Sequence, residues 1–489
     1  MGRIFANTPD ILPSIEQDDC TNELIALLSS GGDARISLEN ESGLNKYFSA
    51  PYPRRTLAYA SSTANDVSPE AFAHLREVLA GGLATYEAQL ESLRARIRAA
   101  YDLSDDVEVV FAASGTDLEY VALAAVLGKA PGGIHNILLG ADEVGSGCIH
   151  SAHGRYFAGE TPLGVPTEMG APVEGFRVVE LADVPVRDSE GRAHSSRQIA
   201  DDIGLQIEQA HSARRHPLVH VVHGSKTGLI LPEPAELATL AERFGDKVDF
   251  VVDACQARIT IPALHEYLAR GAMVFLTGSK FMGGPPFNGF ALVPRAMMEG
   301  AAPLPAGLAS VFCRAEFPLG WAGREQLPEG ENPGLALRYE ASVFELERFQ
   351  LLPITSVAAL LDRFEAALVD EVVARLGLRL VRPYAFGAEE EPREHPIEMR
   401  TLATLDVSTL DATPGFDDAQ RLHRELALSG LRLGQPVKCV RRDGGWGGTL
   451  RIGMSMPQVV RLCDQSAEAA AASLHADMRT IADALAKAR

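Results

Sequence analysis

The chain has 489 residues, 46% of them hydrophobic, with 45 Lys and Arg against 65 Asp and Glu and a formal net charge of −20. That hydrophobic content excludes a disordered chain and suffices for two or three domains with sizeable cores. The negative charge opposes attraction to nucleic acid or to an anionic membrane and directs attention to small-molecule chemistry.

Near the N-terminus, Gly43-Leu44-Asn45-Lys46-Tyr47, Pro53-Arg54-Arg55-Thr56 and Ser61-Ser62-Thr63-Ala64-Asn65-Asp66 are dense in groups able to bind ligands, although turn residues explain the same composition. Tyr47 and Arg54 are the substrate contacts expected from this segment. Ser68-Pro69, an N-cap followed by a first-turn proline, opens an amphipathic stretch from Glu70 to Tyr101. Strand-like runs then recur at Val107 to Phe111, Ile134 to Leu139, Leu218 to Val222, Val248 to Val252 and Met273 to Leu276. They are apolar without clean alternation, as in strands buried on both faces. Helical patterns at Ser196 to Ala213 and Glu233 to Phe244 intervene, so the expected fold is α/β, a mostly parallel sheet covered by helices.

Between Pro294 and Gly334 the composition turns to Pro, Gly and Ala, which reads as a domain junction. Beyond it, Ser356 to Leu376 is amphipathic, Met399 to Val407 is strand-like, and Asp464 to Arg489 is an alanine-rich helix, giving a smaller α+β domain. The expected organisation is an N-terminal segment (1–67), a large domain (68–300), a linker (301–334) and a small C-terminal domain (335–489).

Lys280 follows an apolar run and precedes the glycine- and proline-rich Gly283-Gly284-Pro285-Pro286, so a strand end delivers a lysine to a loop. Upstream, another strand-like run ends in Asp253-Ala254-Cys255-Gln256. A lysine able to hold an aldehyde and an aspartate able to keep a pyridine nitrogen protonated together point to pyridoxal 5'-phosphate (PLP). Gln256 is placed to reach the ring's phenolic oxygen. Ser114-Gly115-Thr116, between a strand and a helical pattern, offers backbone N–H groups and hydroxyls to a phosphate, although it is also a good plain N-cap. Thr277 and Ser279 offer two further hydroxyls.

These segments resemble the class V aminotransferase and cysteine desulfurase superfamily of PLP-dependent enzymes, of fold type I. The family's Asp-x-x-Gln matches Asp253 to Gln256, and its Ser/Thr-x-His-Lys followed by Gly-Pro-x-Gly is similar to Thr277-Gly278-Ser279-Lys280 with Gly284-Pro285 and Gly289 beyond. The resemblance implies that Lys280 is the Schiff-base lysine and that Arg451, in Gly448-Thr449-Leu450-Arg451, binds the substrate α-carboxylate through its guanidinium fork. It also implies a homodimer.

Three departures stand out. Ser279 replaces the usual His before the lysine, and Ser225 stands where many relatives place an Asn that touches substrate or cofactor. Glu143 is followed by Val144-Gly145-Ser146-Gly147 where the family stacks a His on the ring. His150 is then the ring-stacking candidate, or the small residues leave the ring open to a bulky substrate. The desulfurase Arg-x-Gly-x-x-Cys loop has a lookalike in Arg432 to Val437, with Val437 at the nucleophile's place and Cys439 two residues on.

The six cysteines are scattered without a Cys-x-x-Cys pair, so no disulfide framework or zinc ribbon is expected and the thiols fit a cytoplasmic protein. No signal peptide or bilayer-spanning run is evident. Gly145-Ser146-Gly147 has His150 where a dinucleotide fingerprint needs its third glycine, and His220 and His223, three apart on a strand, face opposite sides, so no metal is expected. The expected function is a PLP-dependent enzyme that forms an external aldimine with an amino acid or related amine, an aminotransferase first. A PLP-dependent lyase of the same superfamily and a non-catalytic ligand-binding relative are the alternatives.

Overall fold

A computed structural model describes residues 11–140, 143, 148–176, 178–381, 397–442 and 444–487. The chain opens with helix α1 (Asp19–Leu28), capped by Asp18 on the Thr21 N–H, and a short strand β1 (Leu57–Tyr59). The amphipathic stretch from Glu70 to Tyr101 forms two helices, α2 (Pro69–Ala80) and α3 (Tyr86–Ala100). The pair Gly81-Gly82, with Gly82 at φ +84°, breaks the run, and Thr85 starts the second helix by accepting from the Ala88 N–H.

The large sheet follows in alternation: β2 (Val107–Ala112), α4 (Leu118–Val126), β3 (Ile134–Leu139), α5 (Cys148–Ala152), β4 (Val179–Val184), α6 (Ser196–Ser212), β5 (His216–His223), β6 (Ile230–Leu231), α7 (Pro234–Phe244), β7 (Asp249–Asp253), α8 (Ile261–Ala269), β8 (Met273–Thr277), β9 (Gly289–Pro294) and α9 (Arg295–Glu299). Among the described residues the strand order is β2-β9-β8-β7-β5-β3-β4, with β6 paired on β5, and the run from β8 to β4 is parallel. β9 runs antiparallel to both β8 and β2. The fold is therefore the expected mostly parallel α/β sheet. Two of its strands carry no clear sequence signal. β4 is a half-exposed edge with Glu180 and Asp183 in it, and β9 begins at Gly289, inside what reads as a glycine-rich loop.

Residues 301–334, the segment expected to join the domains, lie against one face of this sheet. Phe317 and Trp321 are buried there with Val110, Phe275 and Ala291. The other face carries the larger core, which continues into the C-terminal part. That part comprises α10 (Pro333–Gln350), α11 (Ile354–Leu368), β10 (Arg379–Val381), β11 (Leu402–Asp406), α12 (Phe416–Leu428), β12 (Leu431–Leu433), the hairpin β13 (Arg441–Arg442) and β14 (Gly445–Trp446), β15 (Thr449–Gly453), α13 (Met456–Cys463) and α14 (Ala467–Ala486). β10, β11 and β15 form an antiparallel sheet, while β1 pairs in parallel with β12 and ties the N-terminal segment to the C-terminal part. The strand expected over Met399 to Val407 starts at Leu402, behind a 3₁₀ turn at Ile397–Thr401.

Helix α10 links the layers. Its buried Arg338 donates to the carbonyls of Phe287 (2.6 Å) and Gly31 (2.7 Å). The Tyr339 hydroxyl accepts from the Ala112 N–H (2.9 Å) and lies 2.6 Å from the carbonyl oxygens of Ala112 and Gly289. The ends of β2 and β9 are thus fixed immediately beside the Ser114 loop.

Candidate active site

Parallel strands end on one side of a sheet, and here the ends of β2, β5, β7 and β8 open on a cavity of about 530 Å³. From the strand ends come Ser114, Gly115 and Thr116, then Asp253 and Gln256, then Thr277, Ser279 and Lys280. The phosphate-loop candidate is tightly packed. A Cβ on Gly115 would come within 3.0 Å of Cys255 Sγ, and one on Gly289 within 2.8 Å of the Ser114 carbonyl carbon. The Ser114 hydroxyl donates to Asp117 (2.6 Å) in the first turn of the loop, and burial pushes the Asp117 carboxyl up to about 7. Thr277 donates to the Cys255 carbonyl (2.7 Å), and Asp253 accepts from the Cys255 N–H (2.9 Å).

The opposite wall comes from distant parts of the chain. Arg451, on β15, is fully buried and donates to the carbonyls of Gln435 (2.7 Å), Lys226 (3.2 Å) and Ser62 (3.4 Å) and to the Thr63 hydroxyl (3.2 Å). Burial lowers it to about 10. Its acceptors are neutral, so its charge has no carboxylate partner among the described residues. Glu143 is the reverse case. It accepts from Arg187 (2.7 Å), from Ser225 (2.7 Å) and from the Thr227 N–H (3.2 Å). Burial pushes its carboxyl up, yet the Arg187 charge and the surrounding donors outweigh that and hold it below the usual carboxylate range. Lys226 lines the cavity as well, lowered to about 8 by burial and then by Arg451.

Seven of the described strands in this order, with a cavity at their ends, can be compared with solved structures. A cysteine desulfurase from Thermococcus onnurineus superposes with a TM-score of 0.54 at 15% identity, over 88% of this chain and 95% of that one. A serine palmitoyltransferase from S. paucimobilis with bound PLP gives 0.50 at 14%, over 96% and 98%. The chain has the fold of these enzymes. An aspartate aminotransferase from Thermus thermophilus shares it too, at 0.50 and 17%, over 87% and 98%. No family model matches the sequence, and no curated protein matches it. It is the fold that the sequence resemblance implied. Since the enzymes that share it carry different names, the chemistry must be read from this cavity.

The cavity suits PLP. Ser62 and Gln256 line it, and Ser62 Oγ and Gln256 Oε1 are buried with no hydrogen-bond partner among the described residues. The backbone N–H groups of the Ser114 loop and the Ser279 hydroxyl supply donors for a phosphate, the Ser114 and Thr277 hydroxyls being engaged by Asp117 and Cys255, and Lys280 and Asp253 open on the same space.

Of the residues singled out in the sequence, Ser225, Tyr47 and Arg451 line this cavity, with Ser225 engaged by Glu143. Arg54 is buried elsewhere, in a bridge with Ile11, and His150 sits partly exposed on α5, so neither is in the described lining. Val144 and Gly145-Ser146-Gly147 lie outside the described residues. His220 and His223 do face opposite ways. His220 approaches Glu119 (3.4 Å), and His223 approaches the Tyr267 hydroxyl (3.0 Å).

Sequence reading missed Arg35, whose guanidinium lies 4.5 Å from the Phe287 ring centroid and is forked on Asp33. It also missed Cys148, Phe416 and Lys438, all in the lining. Asp33 and Arg35, two residues apart, were visible as a charge pair. Nothing local marks Phe416 or Lys438, which α12 and the β12–β15 connection carry to the cavity.

Proposed function

We propose that this chain is a PLP-dependent enzyme acting on the amino group of an amino acid or related amine, an aminotransferase in the first reading. The observation that supports it most is the convergence of Lys280, Asp253 and the Ser114–Thr116 loop on one cavity. PLP, when bound, supplies an electron sink to the carbon that carries the substrate nitrogen. Asp253 would keep the ring nitrogen protonated, Gln256 would meet the ring oxygen, and the loop with Thr277 and Ser279 would hold the phosphate. Lys280 Nζ would be the base that takes a proton from the substrate's Cα and, for transfer, delivers it to the cofactor's aldehyde-derived carbon. Arg451, without a carboxylate partner among the described residues, would bind that of the substrate. Reduced thiols in a cytoplasmic homodimer complete the reading.

Persulfide transfer is disfavoured. Val437 lines the cavity without a thiol, and burial pushes the neighbouring Cys439 up to about 12, leaving it protonated and unreactive. Elimination is the second reading, because Lys280 and Asp253 serve it equally. A ligand-binding relative without activity has no need of a lysine and an aspartate lining one cavity. The test is a single-turnover incubation of the PLP-loaded protein with L-amino acids. One equivalent of keto acid supports transfer, continuous ammonia release supports elimination, and neither product from any amino acid sinks the enzyme reading.

A further inference from the structure

The cavity extends beyond the residues that would hold PLP, and its outer part is asymmetric in charge. Glu143 is consumed by Arg187, Ser225 and Thr227. Asp33, the nearest acid to Arg35, is forked on that arginine. Setting aside Lys280, assigned above to PLP, and Lys226, two cations of the lining have no acidic partner among the described residues. One is the buried Arg451, assigned above to an α-carboxylate. The other is Lys438, exposed at the mouth with its Nζ 5.2 Å from the Phe416 ring centroid. They meet at one loop, which carries Lys438 and which Arg451 contacts from β15. Arg451 Nε donates to the carbonyl of Gln435, and Lys438 follows three residues later, within about 10 Å of chain. Between them Pro436 and Val437 line the wall, and Phe416 closes the side under the lysine stem. A short apolar stretch flanked by two unpaired cations is complementary to a short carbon chain with an anion at each end.

We infer that the substrate carries a second anionic group on its side chain, held at the mouth by Lys438, so that acidic amino acids are preferred over their neutral isosteres. This rests on the proposed PLP-dependent function and names its substrate class. The 530 Å³ of the cavity leave room for such a side chain beside a cofactor. The overall charge of −20 makes the preference informative, because the bulk of the molecule repels an anion that this mouth must attract.

The experiment titrates the PLP-loaded protein with L-glutamate and L-glutamine, which match in size and differ in charge, and with O-phosphoserine and serine. Half-saturation is read from the change in cofactor absorption and kcat/KM from product. Glutamate is expected to exceed glutamine by about tenfold at about 0.05 M salt, with the ratio shrinking towards about 0.5 M as the mouth is screened. Lys438→Gln is expected to bring the ratio near unity, and Lys438→Glu to invert it. A phosphoserine advantage larger than that of glutamate would identify the second anion as a phosphate. A wild-type ratio at or below one for both pairs, or a ratio unchanged in Lys438→Gln, overturns the inference. If amino acids still change the spectrum in that case, the functional reading survives. If no amino acid changes it, both fall together.

Discussion

At the scale of single residues, the buried cation Arg451 and the buried anion Glu143 make different predictions. Arg451 spends its donors on neutral oxygens, and a charge-assisted hydrogen bond is worth about 1.5–3 kcal/mol. Arg451→Gln should therefore raise KM for the amino acid by about 10- to 100-fold while kcat changes less, as steady-state kinetics would show. Glu143 is buried against Arg187, so Glu143→Gln strands a buried cation and should cost about 3 kcal/mol in urea unfolding. Its folded carboxyl lies below the ordinary value of 4.5, so this stabilisation is present above that value and lost as pH falls through the lowered one. Unfolding curves of wild type and variant should differ at neutral pH and converge as pH falls through the lowered value of the folded carboxyl; a constant difference would contradict the assignment.

Lys280, Asp253, Gln256 and the Ser114 loop were legible because each directly follows an apolar strand, and strand ends are where such chemistry collects. Arg451 was legible only through the family resemblance. Arg35 and Lys438 were not legible, since they reach the cavity through contacts between segments hundreds of residues apart. Arg54 shows the converse. Its surroundings in sequence are rich in ligand-like groups, yet its side chain is buried away from the described lining.

Among elements, the five apolar strand runs were readable because burial on both faces leaves a continuous hydrophobic signal. β4 was not, since an edge strand can carry Glu180 and Asp183, and the break between α2 and α3 was masked by a helical period that continues across Gly81-Gly82. The approach of β9 to the phosphate-loop candidate yields a prediction of its own. A Cβ at Gly289 would meet backbone atoms of Ser114 and Gly115 at 2.8–3.0 Å, and backbone cannot swing aside as a side chain can. Gly289→Ala should destabilise by about 1–3 kcal/mol and weaken PLP retention, measured by thermal melting and fluorescence titration. Unchanged retention would mean that the loop does not hold the phosphate.

For the whole molecule, the cavity is assembled from three regions. The sheet supplies the residues proposed to hold the cofactor, the N-terminal segment supplies Arg35 and Tyr47, and the C-terminal part supplies Phe416, Lys438 and Arg451. The β1–β12 pair fastens the last two regions to each other. Among the described residues no helix is long and apolar enough to cross a membrane. The central claim is that Lys280 carries PLP, and the cavity provides its own rival in Lys226, a second lysine of the lining whose amine burial lowers to about 8. The decisive measurement is borohydride reduction of the PLP-loaded protein followed by peptide mass mapping. The account predicts the phosphopyridoxyl mass on the peptide containing Lys280, and its loss in Lys280→Ala. Labelling of Lys226 instead, or of no lysine in the cavity, would contradict it.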